Sequence, residues 1–207
     1  MKVLRIMLLV VFTVWLARVV FAQSAAKSDV PTAAQPATHS HTESDAQSAT
    51  QSGAQLAFAK LKTLQGTWEG KATLNPPSAE MDPGDMQISF RVTSRGHALV
   101  HEMSGKGTPA SGTDSDHPIT LLYLDGDRLY LTHYCDAGNR PRMVGTVSPD
   151  GKKVEFNFLD VTGSTKYGRM DHAVFTIIDA DHHTEDWTYQ MPGNKTMQGH
   201  MELQRVK

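Results

Sequence analysis

The chain of 207 residues contains a single cysteine, Cys135. That excludes an internal disulfide, so the fold must hold by its core, and it excludes covalent haem, whose attachment needs paired cysteines before a histidine. A surplus of positive charge is also missing. Twenty Lys and Arg stand against 22 Asp and Glu, for a net charge of -2. No Lys/Arg cluster interleaves with aromatics, which argues against nucleic acid as a partner. Zinc spacings with a known mechanism, Cys-x-x-Cys and His-Glu-x-x-His, are absent, and no structural metal is expected. After Gly66 no segment carries a convincing helical period.

What is present begins with two segments that do not belong to a folded core. Lys2 and Arg5 precede the apolar run Ile6 to Leu16, and Val20-Phe21-Ala22 places small residues ahead of a cut. Residues 1–22 therefore read as a secretory signal peptide, too short for the roughly 20 apolar residues that span a bilayer. No cysteine lies near the cut, which excludes a lipid anchor there. Residues 23–54 are almost entirely Ala, Ser, Thr, Gln, Asp and Pro, without aromatics. Such a segment cannot bury enough apolar surface to offset its ordering entropy, and it reads as a disordered tether. An exported protein, periplasmic or secreted, is the expectation, with residues 55–207 as its one domain.

Within that domain the run Ala57 to Leu64 has helical spacing and stops before Gly66. About ten short alternating runs follow: Thr67 to Leu74, Met86 to Thr93, Ala98 to Ser104, Pro118 to Leu124, Arg128 to Cys135, Met143 to Val147, Lys153 to Leu159, Met170 to Ile178, Thr184 to Met191 and Thr196 to Val206. Asp125-Gly126, Pro149-Asp150-Gly151 and Pro192-Gly193-Asn194 are tight-turn chemistry that joins antiparallel neighbours. A meander this long leaves two edges unless it closes, so the expected fold is all-β, an antiparallel up-and-down barrel with a short N-terminal helix. A two-sheet sandwich is the alternative. A barrel of this size has an interior that side chains need not fill, hence the expectation of a small-molecule ligand.

Leu64-Gln65-Gly66-Thr67-Trp68-Glu69-Gly70 resembles the opening of the lipocalin-like calycin barrels, a short helix and then Gly-x-Trp entering the first strand. The resemblance implies that Trp68 plugs the closed end and meets a basic residue of the last strand, the place of Arg205. The two ends of the domain also resemble nitrobindin-type haem barrels, whose first strand begins Gly-Thr-Trp-x-Gly. In that likeness Met197-Gln198-Gly199-His200-Met201 matches the last-strand segment, and His200 corresponds to the iron-ligating histidine. The glycine-rich stretch that follows the first strand in that family is missing, and Lys71 to Pro76 stands in its place. The alternation of the last strand puts Met197, Met201 and Leu203 on one face and His200 on the other.

The chemically richest stretch runs from Leu131 to Met143, off a strand end, through a loop and into the next strand, which places it at a barrel rim. Alternation puts His133 and Cys135 with Leu129 and Leu131 on one face, and Tyr130, Thr132 and Tyr134 on the other. Neighbours on one face lie about 7 Å apart, too far for Cys135 and His133 to work as nucleophile and base. The candidate ligand-binding residues are His101, Leu131, His133, Tyr134, Asn139 and Arg142. His101, His172, Glu185, Asp186, His182 and His183 invite a metal reading, with Asp181-His182-His183 the richest, but that triplet also suits the polar tip of a hairpin. The expectation is a binding module for a hydrophobic or amphipathic ligand with no resident cofactor. The alternatives are a haem barrel acting through His200 on nitric oxide or peroxide, and a hydrolase-like use of His133, Asn139 and Arg142.

Overall fold

The computed structural model describes residues 51–78, 83–108 and 115–207, which belong to the compact unit Gln47–Lys207. The signal peptide expected at 1–22, and all but the last residues of the tether expected at 23–54, lie outside the described residues.

A helix α1, Gly53–Lys62, opens the domain, earlier than its apolar spacing indicates. Its start is set by a capping box: the Ser52 hydroxyl accepts from the Gln55 amide while the Gln55 side chain accepts from the Ser52 amide. Ten strands follow: β1 Gly66–Asn75, β2 Asp85–Thr93, β3 Ala98–Gly105, β4 Ile119–Asp125, β5 Arg128–Tyr134, β6 Arg140–Val147, β7 Lys153–Thr162, β8 Arg169–Ile177, β9 His182–Met191 and β10 Lys195–Arg205. Each pairs with its sequence neighbours, and β1 pairs with β10, so the sheet closes into an antiparallel barrel without free edges. The sandwich alternative is thereby set aside.

Alternation along the strands sorts the side chains. Ile88 and Phe90, Leu99 and His101, Leu129 and Leu131, Phe175 and Ile177, and Met201 and Leu203 are buried inside. Helix α1 packs on β4, β5 and β6 and adds Ala57, Phe58 and Leu61 to the core, which closes one end. At that end Trp68 is fully buried and its indole Nε1 donates to the Leu64 carbonyl at 2.7 Å. The motif glycine Gly66 has φ +130°, a backbone that favours glycine, and a Cβ there would come within 2.9 Å of Arg205 Nη1 and displace that guanidinium.

Two readings change. The β8–β9 connection covers Ile178 to Asp181 only, and His182 and His183 already belong to β9, with His183 buried. The interior is also filled through the helix end and the middle, where Phe156, Phe175, Leu122, His101 and Glu185 have essentially no accessible surface.

Candidate functional site

The barrel interior carries a polar cluster that no local motif announces. Glu185 faces inward from β9 and is fully buried. Three N–H groups converge on its carboxylate. His101 Nε2 lies 3.0 and 3.2 Å from the two oxygens, His183 Nε2 lies 3.1 Å from Oε1, and Trp187 Nε1 donates to Oε2 at 2.9 Å. A carboxylate only accepts, so both imidazoles present a protonated Nε2 to it. Their Nδ1 atoms are buried without hydrogen-bond partners. Burial pushes the Glu185 carboxyl up, but the charge and hydrogen bonds of His101, reinforced by His183, outweigh it and hold the group well below the ordinary carboxylate range.

Above this cluster sits His133, inward on β5 and almost fully buried, with Nδ1 paired to the Thr120 hydroxyl at 2.9 Å. Its ring lies 5.5 Å from that of Trp187, which stacks on His101 at 5.6 Å. Burial, followed by repulsion from His101, lowers the His133 pKa to about 3. His133 is therefore neutral near pH 7, a hydrogen-bonding group and not a charge.

The end opposite α1 has a different lining. Every methionine among the described residues, Met86, Met103, Met143, Met170, Met191, Met197 and Met201, occupies an inward-facing position by strand register. Met103, Met143 and Met201 are buried, while Met86, Met170, Met191 and Met197 keep part of their surface accessible. Met170 and Met197 flank Tyr189 as cross-strand partners on either side. Unbranched thioethers adapt to varied shapes, so the four partly accessible methionines give this end an apolar and adaptable lining. Trp187 and His133 are buried inward-facing residues of the same barrel interior.

The six expected ligand residues are not brought together. His101, Leu131 and His133 point inward and are buried, with Leu131 part of the apolar core. Tyr134 is 41% exposed on the outside. Arg142 also faces outward and makes a two-point ion pair with Asp160, which holds its guanidinium charged. Asn139 is a loop tie: its Nδ2 donates to the carbonyls of Ser164 at 2.9 Å and Gly168 at 2.7 Å. His133, Asn139 and Arg142 thus serve three separate surroundings, and a hydrolase-like assembly of the three does not form. His200 departs from the haem expectation: its side chain is 43% exposed on the outer face and pairs through Nδ1 with Asp186 at 2.7 Å. It lines an external groove of about 560 Å³ with Thr73, His172 and Gln198, and an iron inside the barrel is out of its reach. Trp68 and Arg205 meet at the closed end, with the guanidinium carbon 4.1 Å from the indole centroid.

Glu185, Trp187 and Thr120 are the interior residues the sequence reading did not assemble. Period-two alternation along His183, Glu185, Trp187 was a usable signal, obscured because an acid and a histidine among hydrophobes resemble turn polarity. At the rim, the ligand atoms of Asp116, Cys135 and Asp136 lie within 4.8 Å of one another. Burial and the neighbouring acids push both the Asp116 carboxyl and the Cys135 thiol up.

No protein-family model and no curated protein matches the chain. Among solved structures it is similar to Rv2717c from M. tuberculosis, at 15% identity and a TM-score of 0.53, covering 73% of this chain and 98% of that one. It also matches a protein of unknown function of the DUF3598 family from Nostoc punctiforme PCC 73102, at 11% identity and a TM-score of 0.47 over 70% of this chain, spanning about half (49%) of that one. The likeness to Rv2717c concerns the fold, and it fits a lipocalin-like barrel.

Proposed function

We propose that the chain is an exported small-ligand carrier whose site is the methionine-lined mouth of the barrel. Glu185 and its three donors belong to the packed interior beneath it, and the ligand rests on Trp187 and His133. One observation carries this reading: Met86, Met170, Met191 and Met197, inward at the end opposite α1, remain partly accessible, whereas Trp68, Leu99, Leu129 and Val154 of the helix end are fully buried. A protein that needed only a stable core gains more by filling such an end with rigid hydrophobes than with flexible thioethers. The neutral floor selects an uncharged or weakly polar group, because bringing a charge onto it costs desolvation without a counter-charge. Export rests on the N-terminal sequence.

Titration of the full chain with Nile red, an uncharged solvatochromic dye, tests the site. Saturable binding with a blue-shifted emission is expected, weakened in Met197→Glu and Met170→Glu, together with energy transfer from tryptophan that falls in Trp187→Phe, Trp68 remaining as a more distant donor. Absence of saturable binding to a protein with an intact thermal transition overturns the reading.

A further inference from the structure

The wall of the barrel is incomplete on one side of the mouth. The β7–β8 ladder runs from Lys153↔Thr176 to Asn157↔His172 and stops, although β7 continues through Phe158 to Thr162 and β8 starts back at Arg169. Across this gap the Arg169 guanidinium lies 4.1 Å from the centroid of the Phe158 ring, and Phe158 pairs with the inward Met143. Arg169 spends Nη2 on Asp171 at 2.7 Å, which neutralises its charge, but its Nε is buried and unpartnered among the described residues. Beside it Asn139 donates both Nδ2 bonds to Ser164 and Gly168, which fixes the orientation of its amide, and its Oδ1 is likewise buried without a partner. Gly168 connects the two residues. It precedes Arg169, its carbonyl holds Asn139, and it packs so closely on Tyr189 of the mouth that a Cβ would lie 2.7 Å from that ring.

One orphan donor and one orphan acceptor, each buried, flank a single glycine at the edge of an apolar mouth. A buried polar group without a partner costs about 1 to 3 kcal/mol, and a native fold keeps such a pair where something else completes it. We infer that this gap is the head-group subsite of the mouth and that it takes an uncharged group able to accept from Arg169 Nε and donate to Asn139 Oδ1: a primary amide or an alcohol on an apolar chain. A carboxylate fits worse. It meets the Asn139 oxygen with no hydrogen to give, and Asp171 has already taken the arginine's charge. The inference rests on the mouth being the ligand site and adds which ligands it prefers.

Displacement of Nile red from the full chain at pH 8 by four decyl ligands tests it. Decanamide and 1-decanol are expected to compete at roughly tenfold lower concentration than decanoate or N,N-dimethyldecanamide, which accept but cannot donate, the difference expected for one hydrogen bond. In Asn139→Ala, which removes the acceptor Oδ1, that preference is expected to collapse while Nile red itself still binds; in Arg169→Met, which keeps an apolar stem over Phe158, all four ligands are expected to weaken alike. Equal competition by all four ligands, a preference for decanoate, or a preference that survives Asn139→Ala overturns the subsite and leaves the mouth standing. Failure of Nile red to bind removes the mouth and the subsite together.

Discussion

Trp68 and Arg205 are cross-strand partners on β1 and β10, and the guanidinium carbon lies over the indole, 4.1 Å from its centroid. The same guanidinium donates to three carbonyls, Thr63 at 3.0 Å, Gln65 at 2.7 Å and Ala180 at 2.9 Å. It therefore ties the end of the helix region and the β8–β9 turn to the seam where the barrel closes. Trp68→Ala is expected to cost about 3 to 5 kcal/mol, as for a fully buried aromatic. Arg205→Ala is expected to cost less, with a coupling of about 1 kcal/mol between the two in a double-mutant cycle by urea unfolding. Additive losses would mean that Arg205 acts through its carbonyl bonds alone.

The plug connects to the interior cluster, because the ring of His183 meets Trp68 edge-on at 4.2 Å while its Nε2 reaches Glu185. Removing the carboxylate strands three buried donors at once. Glu185→Ala is expected to destabilise by about 3 to 5 kcal/mol, the range for breaking a buried charge cluster from one side. Glu185→Gln keeps the shape but turns an amide N–H₂ toward N–H donors, and it is expected to fall between wild type and Glu185→Ala in the urea midpoint. A Gln variant as stable as wild type would show that the cluster does not need the negative charge.

The barrel was legible because its signals are local. Alternation, turn dipeptides and Gly-x-Trp each act within a few residues, and they place ten strands and the Trp68–Arg205 contact. The interior cluster depends on β3 and β9 facing each other across the barrel, a separation of 84 residues between His101 and Glu185 that no spacing rule reports. Arg142 and Asn139 look alike as rim polar residues in sequence. Only the β-bulge at Arg142/Met143 and the return of the 163–168 loop decide that one pairs outward with Asp160 and the other ties two loops. His200 was the reverse case, since the alternation of the last strand already turned it away from Met201 and Leu203.

Gly168 offers a sharper test of the rim. Its φ is +98°, and a Cβ would lie 2.4 Å from the Gln190 carbonyl oxygen, which is backbone and cannot give way. Gly168→Ala is expected to cost more than the roughly 1 kcal/mol of left-handed strain alone. Because Gly168 also receives Asn139, the loss should appear first as faster amide exchange in the 135–139 and 163–168 loops, ahead of the core strands. Uniform exchange changes across the barrel would mean that these loops are not an independent unit.

The pH dependence of stability separates His133 from the carboxylate cluster. The folded pKa of His133 is lowered to about 3 from an ordinary 6.5. Between those values the unfolded chain binds the proton and the folded one does not, so stability rises with pH through this window and is lost on acidification. Glu185 is also depressed in the folded state, so its contribution is complete above the ordinary carboxyl value of 4.5 and disappears as pH falls below it. Of these two groups only His133 therefore acts between pH 6.5 and 4.5. There it contributes a slope approaching about 1.4 kcal/mol per pH unit. His133→Gln, which can still meet the Thr120 hydroxyl, is expected to flatten the stability profile over that interval and leave the steeper fall below pH 4.5 in place. Chemical denaturation of both proteins at half-unit steps from pH 7 to 4 provides the comparison. A wild-type slope that persists unchanged in the variant would show that His133 takes up its proton without unfolding the barrel, and that the interior is more open to water than its burial implies.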